Sequence, residues 1–330
     1  MRAYRLRELS MDGLKLDEED MPSPGSGEVL VKVKASSLNF RDFVILNGWF
    51  PMPIAPGRIP LSDGAGEIVA LGDGVRRFAV GDRVVNAFYP NWFGGTFNTM
   101  PDQYVTEQDG WLSEYRVVNA EALSRLPDHL SFEEGATLPC AATTAWAALA
   151  DIGSGATVLT QGTGGVSLFA VQFAKAAGAR VIATTSSAAK AERLKALGAD
   201  EVIDYVANPE WGETARALTG GVGIDRIVEV SGPATIAQSI KAIRLGGQIS
   251  LIGILGGHDG GVDYMSMFTS FARFEPIAVG SRRDLEDMIR AIDLHKIKPV
   301  IDSQFSFDDA RSAFDKLAQR QLFGKVVVSH

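Results

Sequence analysis

The chain has 330 residues, 46% of them hydrophobic, which is enough for a sizeable core and long for a single domain. With 32 basic and 40 acidic residues the net charge is −8, which argues against a general nucleic-acid binder and leaves room only for a local basic patch. One cysteine, Cys140, excludes an internal disulfide, and one Cys with four His leaves little material for a zinc site. The opening MRAYRLREL lacks the apolar core of a signal peptide, and no uncharged apolar run is long enough to span a bilayer. The expectation is a soluble, cytoplasmic protein with no nucleic-acid or membrane partner.

Residues 1–122 read as β-rich. Glu28–Ala35 alternates apolar and polar residues as a half-buried strand does, and Gly66–Leu71 and Asp82–Val85 read as further strands. Pro22, Pro24, Pro56, Pro60, Gly72, Gly74 and Gly81 punctuate them. The texture changes at Ser131, which forms an S-x-x-E capping box with Glu134 and opens a helix running towards Leu149. Strands and helices then alternate: strand Ala156–Thr160, helix Gly165–Ala177, strand Arg180–Thr184, helix Ala188–Leu197 closed by Gly198, and strand Glu201–Asp204. Strand Arg226–Val230, helix Ala234–Ile243, strand Gln248–Ile252, a strand near Pro276–Val279 and helix Leu285–His295 continue the pattern. Such alternation predicts an α/β fold with a doubly wound parallel sheet. Strand Ile301–Phe307, helix Asp308–Gln321, capped by Ser306 and Asp309, and strand Lys325–Val328 close the chain.

The stretch ATVLTQGTGGVSLFAVQFAKAAGA, Ala156–Ala179, organises this half. A short strand runs into a turn with Gly162, Thr163, Gly164 and Gly165, then into a helix whose apolar residues Val166, Phe169, Ala170 and Phe173 share a face. Gly162 permits the tight turn, Gly164 lets a pyrophosphate approach the backbone, and the helix directs free N–H groups and its positive dipole end at phosphate. Ser167 stands where the third glycine of the pattern is usual. The end of the next strand reads Ala183-Thr184-Thr185-Ser186-Ser187, with no carboxylate for a ribose 2′-hydroxyl and with Lys190 and Arg193 nearby. Hydroxyls plus a cation suit a 2′-phosphate, so NADPH is expected over NADH.

Several segments together resemble the medium-chain dehydrogenase/reductases, nearest to their zinc-free, quinone oxidoreductase-like branch. They are Ser37–Pro51 (SLNFRDFVILNGWFP), Gly64–Val85, Leu112–Val118, Leu138–Trp146, QGTGGVSLFA, Leu194–Tyr205 and Phe323–Val328 (FGKVVV). The resemblance implies a GroES-like β domain over 1–122, completed by 297–330, and a Rossmann domain over 123–296, with nicotinamide and substrate in a cleft between them. It implies that Ser186, Lys190 and Tyr205 surround the 2′-phosphate and that Thr144 faces the nicotinamide region. It also makes Asn39, Val166, Ser231, Ile252, Gly253 and Lys325 cofactor contacts. Zinc-dependent members carry an early Cys, a G-H-E-x-x-G motif and a later Cys as ligands. Here those positions hold Asn39, Leu61-Ser62-Asp63-Gly64-Ala65-Gly66 and Cys140, and Phe88–Gly110 contains no cysteine for a structural zinc. No metal site is therefore expected, and Cys140 is expected to be a small packed residue.

Without a Lewis acid, hydride transfer to an electron-poor conjugated acceptor needs only alignment and a hydrogen-bond donor. Asn39 is the candidate catalytic donor, with Arg41 beside it as a second candidate. Val44 and Phe50 stand where quinone oxidoreductases carry tyrosines, so hydroxyl donors are missing there. Phe40, Trp49, Phe50, Tyr89, Trp92 and Phe93 are candidate lining for a flat apolar substrate. The expected activity is NADPH-dependent reduction of a quinone or α,β-unsaturated carbonyl. The alternatives are an alcohol dehydrogenase-like carbonyl or alcohol oxidoreductase and a non-catalytic NADPH-binding protein. A homo-oligomer, dimer or tetramer, is expected, with the strand near Pro276–Val279 as a free sheet edge.

Overall fold

The computed structural model describes residues 1–257 and 260–330. The chain divides into two compact units, one of residues 1–143 and 280–330, the other of residues 144–279. The sequence reading had set the domain boundaries at 122/123 and 296/297. Among the described residues no helix is long and apolar enough to cross a membrane.

The first unit opens with a hairpin of β1 (Arg2–Leu6) and β2 (Leu14–Glu18) that the sequence reading did not distinguish. Its basic and acidic side chains mask the alternation: Ala3, Tyr4, Leu6 and Leu14 face the core while Arg5 pairs with Glu19 outside. β3 (Glu28–Leu38) runs past the expected end at Ala35 because β4 (Asp63–Leu71) pairs along most of its length. α1 (Phe40–Leu46) leaves directly from its end. β5 (Arg83–Asn86), β6 (Tyr115–Asn119) and β7 (Leu123–Arg125) extend the same antiparallel sheet. The capping box of Ser131 and Glu134 is present at the start of α2 (Phe132–Ala136). The helix does not run unbroken to Leu149. A π-turn at Leu138–Ala142, with Pro139 lacking an N–H, separates α2 from α3 (Thr143–Ala148).

The second unit holds β8 (Thr157–Gln161), α4 (Gly165–Ala176), β9 (Arg180–Thr185), α5 (Ala188–Leu197) and β10 (Glu201–Asp204). Then follow α6 (Trp211–Leu218), β11 (Ile224–Glu229), α7 (Ile236–Ala242), β12 (Ile243–Leu251), α8 (Tyr264–Ser270) and β13 (Arg273–Pro276). Helices α6 and α8 are additions to the sequence reading. The six strands form one parallel sheet in the order β10-β9-β8-β11-β12-β13. The order reverses at β8/β11, the arrangement in which the carboxyl ends of the strands bind ligands. Fully buried Leu159, Ile182, Ile227 and Ile249 form the middle of its core.

The chain re-enters the first unit with α9 (Arg282–His295), capped by Ser281 and Asp284. β14 (Ile301–Ser306), α10 (Ala310–Ala318) and β15 (Lys325–Ser329) complete it. The expected cap at Ser306 makes no side-chain bond, and a 3-10 turn at Phe307–Asp309 precedes α10. β15 pairs antiparallel with the second half of β3, Val326 opposite Leu38, and parallel with β14. That pairing sets Lys325 beside the junction of β3 and α1.

Candidate active site

Four segments distant in sequence meet at that junction. Asn39 follows the end of β3 and caps α1; Ser62 precedes Asp63, the first residue of β4; Cys140 lies in the π-turn. Lys325 comes from β15 and is 4% exposed, Asn39 8%, Ser62 and Asp63 0%. The Lys325 ammonium donates to the Leu38 carbonyl at 2.5 Å and to Asn39 Oδ1 at 2.5 Å, and lies 3.9 Å from Asp63 Oδ2. Ser62 Oγ donates to Asp63 Oδ1 at 2.8 Å, and the Cys140 amide donates to Asp63 Oδ2 at 3.3 Å. Asn39 Nδ2 reaches Ser62 Oγ at 3.4 Å, a long bond. Burial pushes the Asp63 carboxyl up, and Lys325 with the Asn39 and Ser62 hydrogen bonds opposes that push.

Asp42 borders the cluster. Its Oδ2 accepts from the Asn39 backbone N–H at 2.7 Å, closing the first turn of α1, while Oδ1 is buried without a partner. Burial raises its carboxyl to about 6, against the pull of Arg41. The Arg41 guanidinium lies 5.2 Å from the ring centres of both Phe50 and Phe88 and donates to the Tyr104 carbonyl and Gln103 Oε1. It acts on Asp42 through charge, without a hydrogen bond. Tyr89, edge-on to Phe88 and Trp92, is 5% exposed, and burial pushes its phenol up to about 12. Of the other aromatics, Phe40, Phe43 and Trp49 pack together and Trp49 is 61% exposed.

The donor set at the family's metal positions does not fit zinc, whose ligands are thiolate, imidazole and carboxylate. The amide oxygen of Asn39 faces an ammonium, the Ser62 hydroxyl is spent on Asp63, and burial with Asp63 nearby pushes the Cys140 thiol up, holding it neutral. A second cation there would meet the Lys325 charge. Among the described residues no group of three or more His, Cys, Asp or Glu side chains could hold a metal.

In the second unit the glycine turn follows β8. Gly162 has φ +71°, and both Gly162 and Gly164 face open space where a Cβ would stand. Gly164 caps the 12-residue α4 with no side-chain bond, so the first helical amides are left to an incoming anion. Ser167, in the place of a third glycine, is 2% exposed and ties α4 to the strand by donating to the Gln161 carbonyl at 2.6 Å. Register places the other candidates on the same edge. Gln161 pairs with Thr184 and Thr185 with Asp204, so Gly162, Ser186 and Tyr205 follow three adjacent strand ends. Glu229 pairs with Leu251, which puts Ser231, Ile252 and Gly253 just beyond the next two. Ser186 and Tyr205 are exposed, Lys190 sits in the first turn of α5, Thr163 and Val166 flank the helix start, and Thr144 is buried in α3. The glycine turn, the start of α4 and the ends of the neighbouring strands thus lie along one edge of the sheet.

Sequence reasoning passed over Glu229. It is fully buried and accepts at Oε1 from Ser231 N, Gly232 N and Thr235 Oγ1, and at Oε2 from Gln161 Nε2 and Ser239 Oγ. A charged residue after the apolar pair Ile227-Val228, followed by Val230-Ser231-Gly232, is its only signal. Sequence reasoning treats Ser62 only as the residue in place of a zinc-ligating histidine; the acidic Asp63 beside it is the signal for the Lys325 pairing.

Comparison with known proteins agrees with this geometry. Residues 25–128 match the alcohol dehydrogenase GroES-like domain family and residues 165–294 the zinc-binding dehydrogenase family. A zinc-type alcohol dehydrogenase-like protein of Schizosaccharomyces pombe is 41% identical over 96% of this chain and 95% of its own. A quinone oxidoreductase of Triphysaria versicolor is 34% identical (96% and 94% covered), and an acryloyl-coenzyme A reductase of Metallosphaera sedula 30% (96% of each). Among solved structures, an alcohol dehydrogenase described as putative from Sinorhizobium meliloti superposes with a TM-score of 0.93 at 38% identity, covering 100% of this chain and 98% of that one. A mycobacterial protein solved with NADPH gives 0.83 at 27% identity, with both chains fully covered.

Proposed function

Because this chain belongs to the medium-chain dehydrogenase/reductase superfamily of oxidoreductases, we propose that it uses NADPH to reduce a quinone or an α,β-unsaturated carbonyl without zinc. The observation that carries the proposal is the Asn39–Lys325–Asp63 cluster, an amide and an ammonium where zinc-dependent members hold a metal. Names among the relatives point both ways, to alcohol dehydrogenases and to reductases of conjugated acceptors; the donor set favours the second.

The cofactor, when bound, supplies the hydride. The open backbone at Gly162 and Gly164 and the bare α4 terminus receive the diphosphate, and Ser186, Lys190 and Tyr205 receive the 2′-phosphate. In the first unit Asn39 donates from Nδ2 to the acceptor oxygen. As hydride reaches the β-carbon of an enone, the carbonyl π electrons collect on that oxygen, and the amide stabilises the enolate. Solvent supplies the proton that completes reduction; a quinone follows the same course. Arg41, held between Phe50 and Phe88, keeps a positive charge near the developing anion.

The test is NADPH oxidation with benzoquinone, phenanthrenequinone, an enal, an enone and a simple aldehyde, with and without EDTA. Chelator-resistant turnover of the conjugated acceptors is expected, with little of the aldehyde. Asn39→Ala should lower kcat roughly a hundredfold, the usual cost of one oxyanion donor. EDTA-sensitive aldehyde reduction would overturn the reading.

A further inference from the structure

Lys325 is almost fully buried, and its contacts lie inside the protein: the Leu38 carbonyl, Asn39 Oδ1 and, further off, Asp63. An ammonium only donates, so the Asn39 atom facing it is the oxygen, and the orientation of the carboxamide follows from chemistry. The nitrogen is left on the other side, donating to Ser62 Oγ at 3.4 Å and drawn to the Asp63 carboxylate. Asp63 balances the lysine and is itself fixed by Ser62 and the Cys140 amide.

We propose that Lys325, balanced by Asp63, is a positioning residue that acts through Asn39: it locks the carboxamide oxygen inward and so presents Nδ2 to the acceptor oxygen. The identity of the acceptor rests on the function proposed above; the locking does not. A flipped amide would set its own oxygen against the developing enolate and repel it. The ammonium prevents the flip, and by polarising the amide it strengthens Nδ2–H as a donor. The carboxamide has two N–H donors, so one can stay on Ser62 and Asp63 while the other meets the acceptor oxygen.

A double-mutant cycle tests this. Asn39→Ala and Lys325→Met should each lower kcat by about tenfold or more. The double variant should be no slower than Asn39→Ala alone, because a residue acting through Asn39 has nothing left to position. Additive losses would mean that Lys325 touches cofactor or acceptor directly and would overturn the proposal. Should Lys325→Met fail to fold with Asp63 left uncompensated, Lys325→Met/Asp63→Asn removes both charges and enters the cycle instead. A second readout needs no turnover. The Asn39 side-chain NH2 signal in 1H–15N NMR, assigned by its loss in Asn39→Ala, should shift and broaden in Lys325→Met. An unchanged signal overturns the lock. If wild-type protein reduces no acceptor, the functional reading fails by itself and the NMR result still decides this one.

Discussion

Both units bury carboxylates, and they treat them differently. In the second unit Glu229 accepts from five donors that are backbone amides, hydroxyls and one carboxamide, each within 3.1 Å. In the first unit Asp63 accepts from Ser62 Oγ and the Cys140 amide and faces an ammonium 3.9 Å away, while one oxygen of Asp42 has no partner among the described residues. A satisfied buried charge fixes backbone: Glu229 ties the ends of β8 and β11 to the turn after β11, so the strand edge offered to a nucleotide is rigid. An incompletely satisfied one keeps its protonation and its neighbours responsive, the usual condition of a reacting site. The contrast separates a platform that holds from a cluster that is tuned.

Removing the platform's anchor should have the largest effect. Glu229→Gln keeps the volume but turns one acceptor into a donor facing donors, so at least two hydrogen bonds to a buried charge are lost. A cost of about 3 kcal/mol or more is expected, since such bonds are worth about 1.5–3 kcal/mol each. Urea denaturation would measure it, and NADPH affinity should fall with it because Gln161 and Ser231 adjoin that strand edge. Unchanged stability would mean that Glu229 is not the anchor.

The tuned side predicts a pH effect of similar or smaller size. The Asp42 carboxyl moves from 3.8 to about 6 on folding, chiefly by burial, with Arg41 and Lys325 pulling it down and Asp63 pushing it up. The folded state thus holds this proton more tightly than the unfolded chain. Its contribution to stability is largest at low pH, falls as pH rises from about 4 to about 6, and is level above; the full drop is about 3 kcal/mol. Asp42→Asn keeps an acceptor for the Asn39 amide and should remove that drop. The variant should be flatter across this window and more stable than wild type at neutral pH, by urea midpoints at several pH values. An identical slope in both proteins would show that Asp42 is not the group responsible.

The platform was legible in the sequence and the cluster was not, for a physical reason. Gly162, Gly164, Ser186, Tyr205 and Ser231 all lie within three residues of a strand end, so local periodicity and turn chemistry suffice to place them on one edge. The antiparallel hairpin β1–β2 escaped because Arg2, Arg5, Lys15 and Glu18 interrupt its apolar pattern. The Asn39–Asp63–Lys325 cluster depends on β15 returning from the end of the chain to pair with β3, with nearly 290 residues between its partners. Family likeness flagged the positions, but only the pairing register shows that a lysine stands over the amide. Glu229 is the converse case: its place was legible, yet its five donors come from turns whose geometry no spacing rule supplies.

The smallest predicted effect sharpens the platform itself. The end of β9 offers Ser186 and, one turn into α5, Lys190, with Tyr205 beyond the neighbouring β10. If these receive a 2′-phosphate, a carboxylate at Ser186 should repel it and accept from a ribose 2′-hydroxyl instead. Ser186→Asp should weaken NADPH about tenfold to a hundredfold, about 1.4–2.8 kcal/mol, and strengthen NADH. Ser186 is exposed and lies outside the buried network, so stability should not change. Fluorescence titration of both cofactors against wild type and variant reads the ratio directly. A preference that stays with NADPH would move the phosphate away from the β9 end; a wild type that already prefers NADH would show that the missing carboxylate there carries no information about the cofactor.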